Sequence, residues 1–252
     1  KLPFNLRILQ QCHRLADFIT VNSQHQENRM VQNFPWMKSK IKSIYNGFDL
    51  TTFKPVNFFP TSGGKLSLLA ISSVSYNKNS LNIAKALVIC RNKYNTEVRI
   101  DWIGSRYVSM EETRPAEQTD AYLKENSITH LWSWLGIRTD IAEMIASHDA
   151  LILASFYEGL PNVICEALAC GRAVLTSRVC DNPILVEEGV TGLLFDPYSP
   201  EDIASAIFNF SQTTPSARTK MGEAARRYAE MHLSVDRCVT EYEELFALLV
   251  NR

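Results

Sequence analysis

From residue 66 onward, short apolar runs alternate with longer stretches whose apolar positions recur every three or four residues. The short runs, rich in Leu, Ile, Val and Ala, predict strands at 66–71, 98–103, 131–135, 150–154, 173–176 and 192–195. The periodic stretches predict helices at 81–90, 116–126, 140–147, 161–170, 183–187 and 200–210, then two closing helices at 216–231 and 235–250. Near-continuous apolar strands are buried on both faces, as parallel strands between helices are. This order therefore predicts an α/β fold with a doubly wound, mostly parallel, Rossmann-like sheet.

Local signals sharpen several boundaries. Ser199-Pro200-Glu201-Asp202 reads as a cap, a proline at the first helical position and acids in the first turn. Before residue 66 the pattern is sparser: a helix at 3–15 with Phe4, Ile8, Leu9 and Leu15 on one face, and a strand at 17–21. A helix capped by Ser23 to about Phe34 follows, then a strand at 41–45 ended by Asn46-Gly47. Residues 55–65 hold two Pro and two Gly and read as a connector. The last helix sets Val235, Val239, Tyr242, Leu245, Phe246 and Leu249 near one face, which core packing alone would explain.

Composition removes several classes of function. The 252 residues are 46% hydrophobic and 21% charged with net charge −1, ordinary for a globular protein and without the basic excess of a general nucleic-acid binder. No apolar run reaches the roughly 20 residues of a membrane helix. The six cysteines form no Cys-x-x-Cys or Cys/His cluster, which argues against zinc and for buried, reduced thiols. His148 reads as a helix-end residue. The chain starts Lys1-Leu2-Pro3 without a Met and is expected to be a piece of a longer protein.

Candidate chemistry gathers after the 150–154 strand. Ser155 to Asn162 is a loop of small and polar residues, Pro161 suits the first helical position, and Gly171 supplies a stop. A helix start at a strand's carboxyl end offers backbone N–H groups to an anion. Glu158 lies in the loop and Glu166 eight positions on, under two helical turns of about 3.6 residues past the helix start. The N–H groups suit phosphates and the carboxylates suit sugar hydroxyls, a combination that describes a nucleotide sugar. Spacing alone is equally compatible with one exposed loop glutamate and one exposed helix glutamate.

The stretch Glu158-Gly159-Leu160-Pro161 through Glu166-Ala167-Leu168-Ala169 resembles the Glu, seven residues, Glu signature of retaining glycosyltransferases of the GT-B fold. Gly171-Arg172-Ala173-Val174-Leu175-Thr176 and Glu188-Gly189-Val190-Thr191-Gly192-Leu193-Leu194-Phe195 resemble the next two strands of that group 1 family. The resemblance spans nearly the whole chain. It implies one half of a GT-B fold: residues 1–54 as a remnant of an N-terminal acceptor domain, 55–232 as the donor-binding domain and 233–252 as a helix returning toward the missing domain. It implies catalytic roles for Glu158, at a hydroxyl of the transferred sugar, and Lys78, at the departing diphosphate. It implies donor binding through Glu166 (ribose), through Gly159, Leu160, Pro161 and Asn162, through Ser73, and through the main chain at Leu135, Gly136 and Ile137 (base).

Three departures stand out: Ser72-Ser73 where the family has Gly-Arg, Gly104-Ser105-Arg106 where it has Gly-x-Gly, and Ile184 where it often has Glu. Arg106 and Arg138 are candidates to replace the missing phosphate cation. No Asp-x-Asp occurs, so the expectation is no cofactor and no metal, with a UDP- or GDP-linked sugar as donor. The expected partners are that donor and a glycan or lipid-linked acceptor bound by the missing domain. Nucleic acid is not expected. The expected location is cytoplasmic, with the full-length enzyme at the membrane's inner face, and the isolated chain is expected to be inactive. A nucleotide-sugar epimerase, a glycosidase using the two glutamates and a non-catalytic flavodoxin-like module are the rival readings.

Overall fold

The computed structural model describes residues 13–56, 65–106 and 114–250. Ahead of residue 66 it has a 3-10 turn at His13–Leu15, strand β1 (Ile19–Val21), helix α1 (Gln24–Asn33), a second 3-10 segment at Pro35–Ser39 and strand β2 (Ile41–Ser43). Most of the helix expected at 3–15 lies outside the described residues. The main body runs β3 (Leu66–Ile71), α2 (Ser80–Tyr94), β4 (Val98–Ile103), α3 (Arg114–Glu125), β5 (Trp132–Gly136), α4 (Ile141–Ala146), β6 (Ala150–Leu153), α5 (Asn162–Ala169), β7 (Ala173–Ser177), α6 (Asn182–Leu185), β8 (Gly192–Phe195) and α7 (Pro200–Ser211). Helices α8 (Pro215–His232) and α9 (Val235–Val250) close the chain.

Strands β3 to β8 form one parallel sheet in the order β5-β4-β3-β6-β7-β8. Every residue of β6 and β7 is buried, which is why these strands read as unbroken apolar runs. One face carries a core of Leu68, Ile83, Leu87, Ile100, Trp102, Ile207 and Phe210 under α2, α3 and α7; the other carries Leu69, Leu151, Ile164, Leu168, Val174 and Ala225 under α5 and α8. Glycine is required where backbones meet: a Cβ on Gly192 would lie 1.9 Å from the Val174 carbonyl oxygen of the neighbouring strand.

Most predicted boundaries hold to within one or two residues, and the exceptions have physical reasons. Helix α2 continues past Cys90 to Tyr94, because its last turn faces solvent with polar residues and stops only at Asn95, whose φ is +49°. Pro161 is not the first helical residue. With ψ of 93° it is extended and caps α5, which starts at Asn162, while the Pro161 carbonyl accepts from Ile164 N–H at 2.9 Å. Gly171, with φ +64°, ends that helix as predicted. His148 is buried at the end of α4, its Nδ1 2.7 Å from the Met144 carbonyl oxygen and its Nε2 3.2 Å from Asp101. Among the described residues no helix is long and apolar enough to cross a membrane.

Strands β1 and β2 pair in parallel with each other and form a separate two-stranded sheet. This small unit is pinned to the main body by one carboxylate. Asp181, in the loop after β7, is fully buried and accepts hydrogen bonds from Gln24 N–H (2.7 Å) and His25 N–H (2.6 Å), the first two donors of α1. Ser23 caps the third, Gln26 N–H, at 3.2 Å, as its sequence position predicts. The partial positive charge of a helix start favours such a carboxylate. The Tyr45 hydroxyl lies nearby, its pKa raised by burial and by the Asp181 charge. Helix α9 lies on the same unit: Phe48 N–H donates to the Leu233 carbonyl at 2.8 Å, and a Cβ on Gly47 would sit 2.7 Å from the Val235 Cα.

Asp181→Ala strands two buried N–H donors. It is expected to cost about 1–3 kcal/mol of stability in urea unfolding, with α1 amides losing hydrogen-exchange protection before those of β6.

Candidate active site at the switch point of the sheet

The sheet order reverses between β3 and β6: the chain winds outward to β5 from β3, then outward to β8 from β6. The loops leaving these two strands therefore diverge and leave a crevice at their carboxyl ends, where open α/β sheets bind ligands. Lys78 follows β3, at the end of a 3-10 turn (Tyr76–Lys78), and Glu158 follows β6. Their side chains meet across the crevice, Lys78 Nζ 2.6 Å from Glu158 Oε1, both largely buried. Screening by salt is weak at such a place.

Two asparagines fix the two loops against each other. The Asn77 side chain brackets the Tyr157 peptide, donating from Nδ2 to the carbonyl at 2.8 Å and accepting from the Tyr157 N–H at 3.1 Å. The Asn77 carbonyl accepts from Phe156 N–H at 2.9 Å. Asn79 is buried with φ +59°, a conformation that asparagine tolerates better than most residues. Its Nδ2 donates to the Ala154 carbonyl (3.0 Å) and the Pro197 carbonyl (2.8 Å), joining the ends of β3, β6 and β8. None of this is visible in spacing: an Asn before and after a loop Lys reads as ordinary loop composition.

The floor of the crevice is the start of α5. First-turn N–H groups of a helix have no helical partner, and here they belong to Asn162 and Val163 beside Gly159 and Leu160. Asn46 reaches across from the small unit and donates to Asn162 Oδ1 at 3.0 Å. Helix α1 covers the loop from above: Arg29 lies over the Tyr157 ring at 5.9 Å, and a Cβ on Gly159 would come within 3.0 Å of Gln26 Nε2. The Glu158 N–H donates to Cys180 Sγ at 3.4 Å. Cys180 holds φ +48°, and burial raises its thiol pKa. Glu166 lies about one turn into α5, half-buried, and its carboxylate makes no hydrogen bond or ion pair among the described residues. Burial raises its pKa.

The other predicted residues sit further out. Ser73 is exposed in the loop after β3. That loop touches the loop after β4, where a Cβ on Gly104 would meet the Ser72 carbonyl oxygen at 2.0 Å. Leu135, Gly136 and Ile137 end the edge strand β5, two strands from β3, with Gly136 at φ +68° and Ile137 80% exposed. Arg106 pairs with Asp120 and lies over the Trp134 ring, and Arg138 pairs with Asp140. Both candidate replacement cations are thus already engaged by carboxylates. The structure brings together Lys78, Glu158, Gly159, Leu160, Pro161 and Asn162, with Glu166 on the same helix; it leaves the β5 end and both arginines apart from that cluster. No group of His, Cys, Asp and Glu able to hold a metal ion occurs among the described residues.

Asn77→Ala removes both side-chain hydrogen bonds to Tyr157. The expected loss is about 1–3 kcal/mol at about 0.5–1.5 kcal/mol per bond, measured by urea unfolding. Exchange broadening confined to loops 72–79 and 155–160 in amide NMR spectra is expected with it.

Comparison with known proteins places this geometry. Among curated relatives, spore coat protein SA of Bacillus subtilis is 25% identical over 240 residues, 88% of this chain and 62% of the relative. A D-inositol 3-phosphate glycosyltransferase of Streptomyces avermitilis is 22% identical over 226 residues, 85% of this chain and 48% of the relative. The chain thus spans about half to three-fifths of the length of these relatives. The fold matches that of Anabaena Alr3699/HepE, solved with UDP and glucose, at a TM-score of 0.84, 23% identity, 96% of this chain and 66% of that one. A glycosyltransferase of Rickettsia africae ESF-5 matches at 0.82 and 17%, covering 92% and 63%. The sequence profile of the glycosyl transferases group 1 family matches residues 65–212, which is more than half of the chain and runs from β3 to the end of α7. The chain belongs to the glycosyl transferases group 1 family, and its six-stranded unit corresponds to the C-terminal domain of that family's GT-B fold.

Proposed function

We propose that this chain is the donor-binding half of a retaining glycosyltransferase. It would hold a nucleoside diphosphate sugar for transfer to a glycan or lipid-linked acceptor. The observation that carries the reading is the convergence of one cation, one carboxylate and one helix start at a sheet switch point: Lys78 and Glu158 2.6 Å apart above the first turn of α5. A diphosphate needs positive potential without a competing buried anion. On donor arrival Lys78 turns from Glu158 to the phosphates, and Glu158 is released to accept a hydroxyl of the transferred sugar. The fixed N–H groups of Gly159 to Asn162 then share the charge that builds on the leaving diphosphate.

Glu166 makes no hydrogen bond or ion pair among the described residues, which suits a carboxylate that accepts from the two ribose hydroxyls. The base would lie toward Leu135, Gly136 and Ile137 at the end of β5. Uracil is the first base to test, because similar folds have been solved with UDP. The reacting end of the acceptor would bind the part of the relatives that this chain does not match, so the chain by itself binds donor without turning it over. Ser73 offers a hydroxyl where a second cation is absent; the diphosphate is therefore held chiefly by Lys78 and the helix start, without a metal.

Calorimetry with UDP-sugars tests the ribose role. Glu166→Ala is expected to weaken binding roughly tenfold to a hundredfold, the loss of hydrogen bonds to a charged group; unchanged affinity would end that assignment. Ribose hydroxyls need the ionised carboxylate, and burial raises the Glu166 pKa. Affinity should therefore fall as pH drops through a window above the range of an exposed glutamate, and Glu166→Gln should flatten that profile. Lys78→Ala should weaken binding of the diphosphate by at least tenfold more than binding of the nucleoside; an equal effect on both would remove Lys78 from the phosphate site.

A further inference from the structure

Two residues before Lys78 stands Tyr76, and two before Glu158 stands Phe156. Their rings lie 5.3 Å apart with planes 33° from parallel, and Tyr198, from the loop after β8, stacks on Phe156 at 4.7 Å and 27°. Three loops at the carboxyl ends of three strands thus each give one ring to a single stack. Phe156 is sandwiched, whereas Tyr76 is 77% exposed and Tyr198 70% exposed. A lone exposed tyrosine calls for no explanation, but a contiguous aromatic surface beside a binding crevice does.

The stack has a polar companion. Tyr76 and Phe156 wall a cavity of about 190 Å³ whose other sides include Asn82 and Lys85 on α2 and Gln118 on α3. Lys85 and Gln118 make no hydrogen bond or ion pair among the described residues, and Asn82 uses only its Nδ2, on the Pro197 carbonyl at 3.0 Å. The volume is below the roughly 300–1,000 Å³ of pockets for drug-sized ligands, so it takes one ring-sized group. Aromatic walls with a few side-chain donors and acceptors match a pyranose, which is apolar on its C–H face and carries hydroxyls around its edge. A purely apolar partner would leave the Lys85 ammonium and the Gln118 amide desolvated without partners, at a cost.

We propose that Tyr76, Phe156 and Tyr198, with Asn82, Lys85 and Gln118, form a saccharide subsite separate from the donor pocket, which holds a sugar ring of the acceptor glycan. The assignment to the acceptor rests on the donor-binding reading above; the sugar contact itself does not. The test is saturation-transfer NMR on the chain with maltotetraose and with chitotetraose, run beside calorimetry with UDP. Saturation of sugar C–H protons is expected for at least one oligosaccharide, falling at least threefold in Tyr76→Ala and in Tyr198→Ala. It should be kept within twofold in Tyr76→Phe, and UDP affinity should not change in any variant. Absence of saturation in the parent chain, or saturation in both alanine variants equal to that of the parent, overturns the proposal. So does displacement of the oligosaccharide by UDP or uridine, which would make the stack part of the nucleotide site. Sugar saturation without UDP binding keeps the subsite and removes the donor reading instead. A protein partner as the true occupant would show as no sugar saturation together with a Tyr76-dependent complex with the acceptor half supplied in trans.

Discussion

A parallel sheet wound outward in two directions from its middle cannot close the gap where the windings part. That gap, between β3 and β6, is the constraint on which the rest of this molecule depends. It forces two loops to run side by side with no strand between their tips, and side chains must do what a ladder of backbone hydrogen bonds does elsewhere in the sheet. Asn77 copies such a ladder by bracketing one peptide with one amide, and Asn79 extends it to the end of β8. The crevice is thereby open to a ligand yet rigid at its rim. A binding site needs this combination, because ordering loose loops on ligand arrival would be charged against affinity.

The same geometry explains why the charges in the crevice pair with each other. A largely buried ammonium or carboxylate with no partner would be costly, so Lys78 and Glu158 neutralise one another at 2.6 Å. An anionic ligand that displaces Glu158 from Lys78 gives the carboxylate a hydroxyl-rich neighbour in exchange, so neither charge is left bare. Glu166 follows the opposite strategy. It has no partner to give up among the described residues, and burial favours its proton. One site thus contains a carboxylate paired with a cation and another whose ionisation is disfavoured by its surroundings.

Much of the main body was legible in the residues. The β3, β4 and β8 runs coincide with the observed strands, because buried apolar residues dominate each run, with Ser67 in β3 and Arg99 and Asp101 in β4 as the polar exceptions. The loop carrying Glu158 and the helix carrying Glu166 were likewise legible as elements, since Gly and Pro punctuate both. The rest was hidden for reasons of distance. Asp181 caps a helix that starts 157 positions earlier, and nothing in Cys180-Asp181-Asn182 announces it. Asn77 and Tyr157 are 80 positions apart. Asymmetric details were lost too: Pro161 fits both the cap and the first turn, and only the ψ of 93° separates them. Arg106 and Arg138 offered themselves as phosphate ligands by type, while Asp120 and Asp140, which engage them, were visible only as ordinary helix acids.

The buried Asp181 carboxylate has a consequence for motion. Its two donors belong to α1, a helix of the small β1–β2 unit, whereas the carboxylate itself hangs from the main sheet. Any swing of that unit away from the crevice must pull a fully buried carboxylate off the two backbone donors it has among the described residues. Separation therefore needs water to reach Asp181, one residue from the Cys180 thiol that accepts from the Glu158 N–H, which ties the breathing of the cleft to wetting just behind the crevice.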